Sequence, residues 1–161
     1  MTKGKRKSWR EKLNDSKDLP RVVPIDERMG RRWGHGTMVL PAPQEVDELM
    51  RKVPRGKVTT VNQIRETLAR RHGATISCPM VTGIFVWVAA NAAEEAVAEG
   101  AGDINPYWRT LKSGGELNQK YPGGVEQQAL NLMLEGHEIE PGRGRKSPRV
   151  KGFESSLAEL D

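Results

Sequence analysis

A proline, two aromatic rings and an arginine stand in a row at Pro106-Tyr107-Trp108-Arg109, shortly before the Gly114-Gly115 pair, in a chain whose aromatic content is only 5%. A phenol titrates near pH ~10, so Tyr107 is no nucleophile at neutral pH unless a base stands beside it. The one thiol, Cys78, lies where a helix is expected to begin, and a helix N-terminus could lower its pKa. No histidine is placed near it in sequence, and a small packing residue is the plainer role. His35, His72 and His137 are scattered without zinc-ligand spacing, and a single cysteine rules out an internal disulfide framework. No metal or cofactor is expected.

The elements that must position these residues can be read from periodicity. Val46, Leu49, Met50 and Val53 fall on one helical face of Ala42 to Val53, giving a first core helix. Thr60 followed by Gln63 makes a capping-box pattern ahead of Val61, Ile64 and Leu68, so a second helix ends near His72-Gly73. Ser77 is the candidate N-cap of a third, with Pro79 in its first turn; it is apolar nearly all round from Met80 to Ala90, and the alanine-rich stretch beyond could prolong it to Gly100. Arg109 to Gly124 reads as a strand, a Gly-Gly turn and a return segment, forming a wing. A last helix puts Val125, Ala129, Leu132 and Met133 on one face and stops at Gly136. The expected fold is mainly α: a winged helix-turn-helix domain over 42–140 with a small β wing. Around it lie an extended basic arm, 1–41, largely irregular with a short helix at most near Ser8 to Leu13, and a basic tail, 141–161.

The net charge of +5 is not spread evenly. Residues 1–36 carry eleven Lys/Arg against five Asp/Glu, and 141–153 carry five against none, whereas 37–140 carry ten against thirteen. Basic arms of this kind neutralise phosphates and raise encounter rates with nucleic acid; they also serve as plain solubilising tails. The longest apolar run, Val81 to Ala90, is about half of what a bilayer span requires, and the lysine-rich start lacks the apolar segment of a secretory signal. A cytoplasmic monomer with no membrane partner is the expectation.

Five words in order, "VPRGKVTTVNQI", "MVTGIF", "NPYWRTL", "YPGG" and "LMLEGHEI", resemble the C-terminal DNA-binding domain of the methylated-DNA-protein-cysteine methyltransferases, the alkylguanine-DNA alkyltransferase family. The resemblance covers residues 42–140, apart from Asn91 to Asp103. In that family a Pro-Cys-His-Arg motif holds an acceptor cysteine, activated through a histidine that a glutamate orients. Pro106 and Arg109 match the motif, but Tyr107 stands at the cysteine and Trp108 at the histidine. Glu135 matches the glutamate, without either of its partners. The resemblance therefore implies an inactive relative, closest in kind to the alkyltransferase-like proteins, which lack the acceptor cysteine and bind alkylated guanine. The family's intercalating arginine aligns with Pro79 and its phosphate-pushing tyrosine with Val61, so the usual wedge for extruding a base is missing.

Carried over by position, Tyr107, Trp108, Arg109, Met80, Tyr121 and Glu135 line the former alkylguanine pocket. The rings either stack on an extruded base or fill the cavity, and the lost wedge favours filling. Thr59, Thr60, Gln63, Ser77, Pro79, Thr82 and Gly83 are candidates for groove and backbone contact, with Arg65, Arg109, Lys112 and Lys120 near phosphates. Each has a structural alternative: Thr60 as an N-cap, Gly83 as room for a neighbouring helix, Arg65 as a solvated helix face. The expected partners are double-stranded DNA, plain or alkylated, and a repair protein; on DNA the protein would associate with the nucleoid. Two other classes remain: an alkyltransferase that uses Cys78, and a protein-interaction module built on "VTGIFVWVAA" and the arm.

Overall fold

The computed structural model describes residues 6–160. Four of its helices follow the expected pattern: α3 (Pro43–Arg51), α4 (Val61–Arg71), α5 (Pro79–Ala98) and α6 (Gly124–Leu134). On α3, Val46, Leu49 and Met50 are fully buried, and Val53 just beyond it is 1% exposed. Each such side chain contributes about 1.5–3 kcal/mol by leaving water. Thr60 caps α4 by accepting from the Gln63 N–H at 3.1 Å. Helix α5 starts one residue later than expected, with Cys78 rather than Ser77 at the cap, and runs twenty residues through the alanine-rich stretch. That is enough by length and composition to cross a bilayer, unlike the ten-residue run on which the sequence reading rested. Its buried residues Val86, Ala89, Ala90 and Ala93 instead pack into the same core as Val46 and Leu68.

The N-terminal segment has the short helix expected near Ser8 to Leu13, and beyond it is more regular than its prolines and glycines suggested. It carries α1 (Trp9–Asn14), capped by Ser8, then β1 (Arg21–Pro24), α2 (Glu27–Trp33) and β2 (Thr37–Leu40). Strand β2 pairs antiparallel with β1 and parallel with β4 (Ile76–Ser77), so Val39, which is fully buried, ties this segment to the body. Prolines are tolerated because they sit at strand ends and at the start of α3, where no ladder N–H is lost. Helix α1 lies along α5, with Trp9 edge-on to Trp87 at 4.7 Å. Glu95 of α5 accepts from the backbone N–H groups of Trp9 and Arg10.

The basic tail also returns to the core. After β6 (Ile139–Glu140) and β7 (Arg149–Val150), which form an antiparallel hairpin, Phe153–Ser156 makes a 3-10 turn and the chain ends its described course beside α4. The Val58 N–H donates to Ser156 and the Ala158 N–H to Val58, at 2.9 and 2.8 Å, and Ala158 and Leu160 are each 6% exposed. Mean basicity over the tail hid these apolar residues.

The expected wing takes another form. Strand β5 (Thr110–Leu111) pairs in parallel with β3 (Thr59–Thr60), not with its own return segment. The Lys112 N–H donates to Glu116 and closes the turn through Gly115. Gly115 has φ +85°, and a Cβ there would meet the Phe153 ring, so the position admits only glycine. Beyond the turn the return segment bridges to Arg149 of β7.

Candidate nucleic-acid interface and a buried aromatic cluster

Tyr107–Arg109 forms one 3-10 turn between α5 and β5. Asn105, fully buried, anchors its approach by donating to Asp47 of α3 at 2.8 Å. Tyr107 is 1% exposed, with its ring edge-on to Trp108 at 5.5 Å and to Tyr121 at 5.3 Å. Its hydroxyl donates to Glu94 at 2.6 Å. Burial, then the adjacent Glu94 carboxylate, raises the phenol well above its ordinary value, so no phenolate forms at neutral pH. Tyr121 is also raised, by burial first, and its hydroxyl donates to the Thr110 carbonyl at 2.9 Å.

Glu135 is not left without partners, as the loss of the Cys-His pair suggested. The Trp108 indole N–H donates to it at 2.9 Å, and Arg109 holds it through Nε and Nη2, both at 2.8 Å. The third arm of the guanidinium donates to the Val53 carbonyl at 2.8 Å. Such a two-pronged arginine–carboxylate pair fixes geometry as well as charge. Burial alone would raise the Glu135 carboxyl, but Arg109 and Trp108 outweigh it and hold the group below the usual range. His137 lies close by with a buried Nε2 that has no hydrogen-bond partner, and burial lowers its pKa. Gln128, fully buried on α6, donates to the Trp108 carbonyl and accepts from the Asn118 N–H. Five of the six expected pocket residues thus meet, but as a packed cluster.

Met80 is the sixth, and it lies elsewhere. It is 74% exposed and lines an open groove of about 900 Å³ with Val61, Pro79, Gly83, Ile84 and Trp87. The facing wall is the 112–120 segment, including Lys112, Asn118 and Lys120. Met80, Ile84 and Trp87 repeat at helical spacing on the exposed side of α5.

The polar contact candidates divide in the same way. Thr59, Thr60, Ser77 and Thr82 are buried, and their hydroxyls are used inside the protein, which corrects their assignment as groove contacts. Thr59 donates to Gln63 Oε1, Thr60 is the α4 cap, and Ser77 bonds Thr82, which in turn donates to the Cys78 carbonyl. Gln63 also donates to the Ala158 carbonyl. Arg65 is engaged by Ser77 and Asn62, with its guanidinium 5.1 Å from the Trp33 ring centroid, and burial lowers its pKa. Arg109 is committed to Glu135. Pro79, Gly83, Lys112 and Lys120 remain on the groove. Thr60→Ala should lower stability by about 1 kcal/mol through loss of the cap; urea unfolding with an unchanged midpoint would show that the cap contributes nothing. Cys78 is 7% exposed.

Sequence reasoning missed Glu94 and Gln128; Ile84 and Trp87 fall within "VTGIFVWVAA", which it had singled out only as a surface for a protein partner. For Glu94 the signal was a carboxylate thirteen residues before Tyr107, inside a stretch with no counterpart in the resembling family.

No protein-family profile matches the chain, and no curated protein is similar in sequence. Among solved structures, one similar to this chain is S. pombe Atl1 in complex with damaged DNA containing O6-carboxymethylguanine, at 19% identity and TM-score 0.47. A second is S. pombe ATL in complex with DNA, at 19% identity and TM-score 0.45. Each alignment covers 73% of this chain and 94% of the other.

Proposed function

We propose that this protein binds DNA without modifying it, as an alkyltransferase-like protein that recognises damaged or distorted duplex. The observation that carries the reading is a contrast: Tyr107 is sealed at 1% exposure, while the groove along α5 is open and edged by Lys112 and Lys120, with Glu116 between them in sequence. Neither a phenol with a raised pKa nor Glu135, engaged by Arg109 and Trp108, supplies the thiolate and base that alkyl transfer needs. Buried Cys78 has no histidine hydrogen-bonded to it among the described residues. Helix α5 is the natural reading element: Gly83 lets a backbone approach closely, and Met80, Ile84 and Trp87 are apolar wedges of the kind that minor-groove binders press against base steps. On this reading the protein works in the cytoplasm, on nucleoid DNA, as a monomer.

The test is an electrophoretic shift with plain and O6-alkylguanine duplexes across a salt series. Binding that weakens linearly in log-log with salt, together with an unchanged protein mass after incubation with the alkylated duplex, is the expected result. No binding to either duplex at low salt would sink the proposal, and a mass gain on Cys78 would restore the enzymatic alternative. A second reading rests on the same three side chains: an exposed apolar stripe on α5 is also what a protein partner would cover. Recovery of a protein partner and no nucleic acid in a pull-down would favour it.

A further inference from the structure

Strand β7 and the connection that leads to it from β6 lie beyond residues 42–140, the span of the family resemblance, and outside the function assigned to α5. That eight-residue connection, 141–148, carries Arg143, Arg145 and Lys146, all exposed and without a carboxylate partner among the described residues. The loop is shaped, not slack. The Lys146 N–H donates to the Arg143 carbonyl, and Gly142 sits so close to the Lys146 carbonyl that no Cβ could fit between them. At its base, Arg149 pairs with Glu140 at 3.5 Å.

Two backbone hydrogen bonds hold the hairpin against the turn that follows β5. The Leu117 N–H donates to Pro148 at 2.8 Å and the Val150 N–H to Gly115 at 3.0 Å, and together they make the antiparallel bridge between Glu116 and Arg149. Between hairpin and turn lies a concave surface of about 780 Å³, where Lys112, Arg143, Arg145, Lys146 and Arg149 face only Glu116 and Glu140. Lys112 and Glu116 also line the α5 groove, so the two surfaces are continuous. A concavity with five cations against two carboxylates concentrates positive potential, and its natural ligand is a chain of phosphates.

We infer that the β6–β7 hairpin is the second half of the nucleic-acid interface: Arg143, Arg145 and Lys146 hold backbone phosphates of a duplex whose bases lie against α5. The hairpin does what the segment after β5 was expected to do, since that segment makes no hairpin of its own. These contacts position the duplex and read no sequence or lesion. The inference rests on the DNA-binding reading above.

The experiment compares full-length wild type, the triple variant Arg143→Ala/Arg145→Ala/Lys146→Ala and the charge-retaining pair Arg143→Lys/Arg145→Lys, with circular dichroism to check folding. Each is titrated with plain and O6-alkylguanine duplexes from low to moderate salt. The triple variant should lose about 0.9 from the log-log salt slope per contact, roughly 2 to 3 in all, and bind both duplexes about tenfold or more weakly. The lysine pair should keep the wild-type slope. A wild-type slope in the triple variant overturns the hairpin's role while leaving DNA binding by α5 intact. A loss confined to the alkylated duplex also overturns it, because phosphate contacts are blind to the base. Failure of the wild type to bind either duplex overturns both.

Discussion

Glu135→Ala should lower the unfolding free energy by about 3–5 kcal/mol, the cost of leaving one member of a buried ion pair without its partner. The side chains of Arg109 and Glu135 are only 14% and 4% exposed, so water cannot replace the carboxylate. The Trp108 indole N–H loses its acceptor in the same step. Glu135→Gln keeps an acceptor for the indole and removes the charge, and should fall between wild type and alanine. Urea unfolding of the three proteins measures this; a change below about 1 kcal/mol for alanine would mean that the pair is solvated. The same group gives a pH dependence of definite sign. Its folded pKa is depressed, so its contribution is present above the unfolded value and is lost as pH falls through the folded one. His137, also depressed, acts in the same direction and begins earlier, as pH drops below about 6.5. Wild type should lose stability in acid in two stages, and Glu135→Gln should lose less in the second, where Glu95, also depressed, still contributes.

The other large effect is expected at Tyr107. Removing a ring that packs against Trp108 and Tyr121 at 1% exposure leaves a cavity, and Tyr107→Ala should cost about 3–5 kcal/mol. Tyr107→Phe keeps the ring and loses only the hydrogen bond to Glu94, at about 1 kcal/mol. This ratio separates a sealed core position from a binding pocket. Were the ring a platform for an extruded base, Tyr107→Ala would cost little stability and much affinity for alkylated duplex. Thermal unfolding of both variants beside a gel shift gives the two readings together.

Several elements were legible in the chain because each has a local cause. Thr60 with Gln63, Pro79 in a first turn and Gly136 after α6 mark helix ends through neighbours within four residues. The words around Tyr107 and Trp108 singled the pair out. Their chemistry was not legible, because it depends on partners far along the chain. Glu94 reaches Tyr107 from the far half of α5, and Arg109 turns inward because Glu135 is 26 residues away. Thr59, Ser77 and Thr82 looked like groove contacts because small polar residues serve that purpose; Thr59 and Ser77 are buried by β3 and β4, two-residue strands too short to leave a period, and Thr82, in the first turn of α5, faces Ser77. The packing of Val39 and Leu160 was hidden in the same way, since each joins the core through segments far along the chain.

The pairing of Val58 with residues 156–158 brings together parts of the chain about a hundred residues apart. Contacts of that span are entropically costly to close and pay back only once closed, which slows folding compared with a bundle of neighbouring helices. Helices α3 and α4 can form early from their own periodicity, but the pairing of Val58, next to β3, waits for residues 156–158. The order of assembly is therefore set by the segment that composition alone would mark as dispensable.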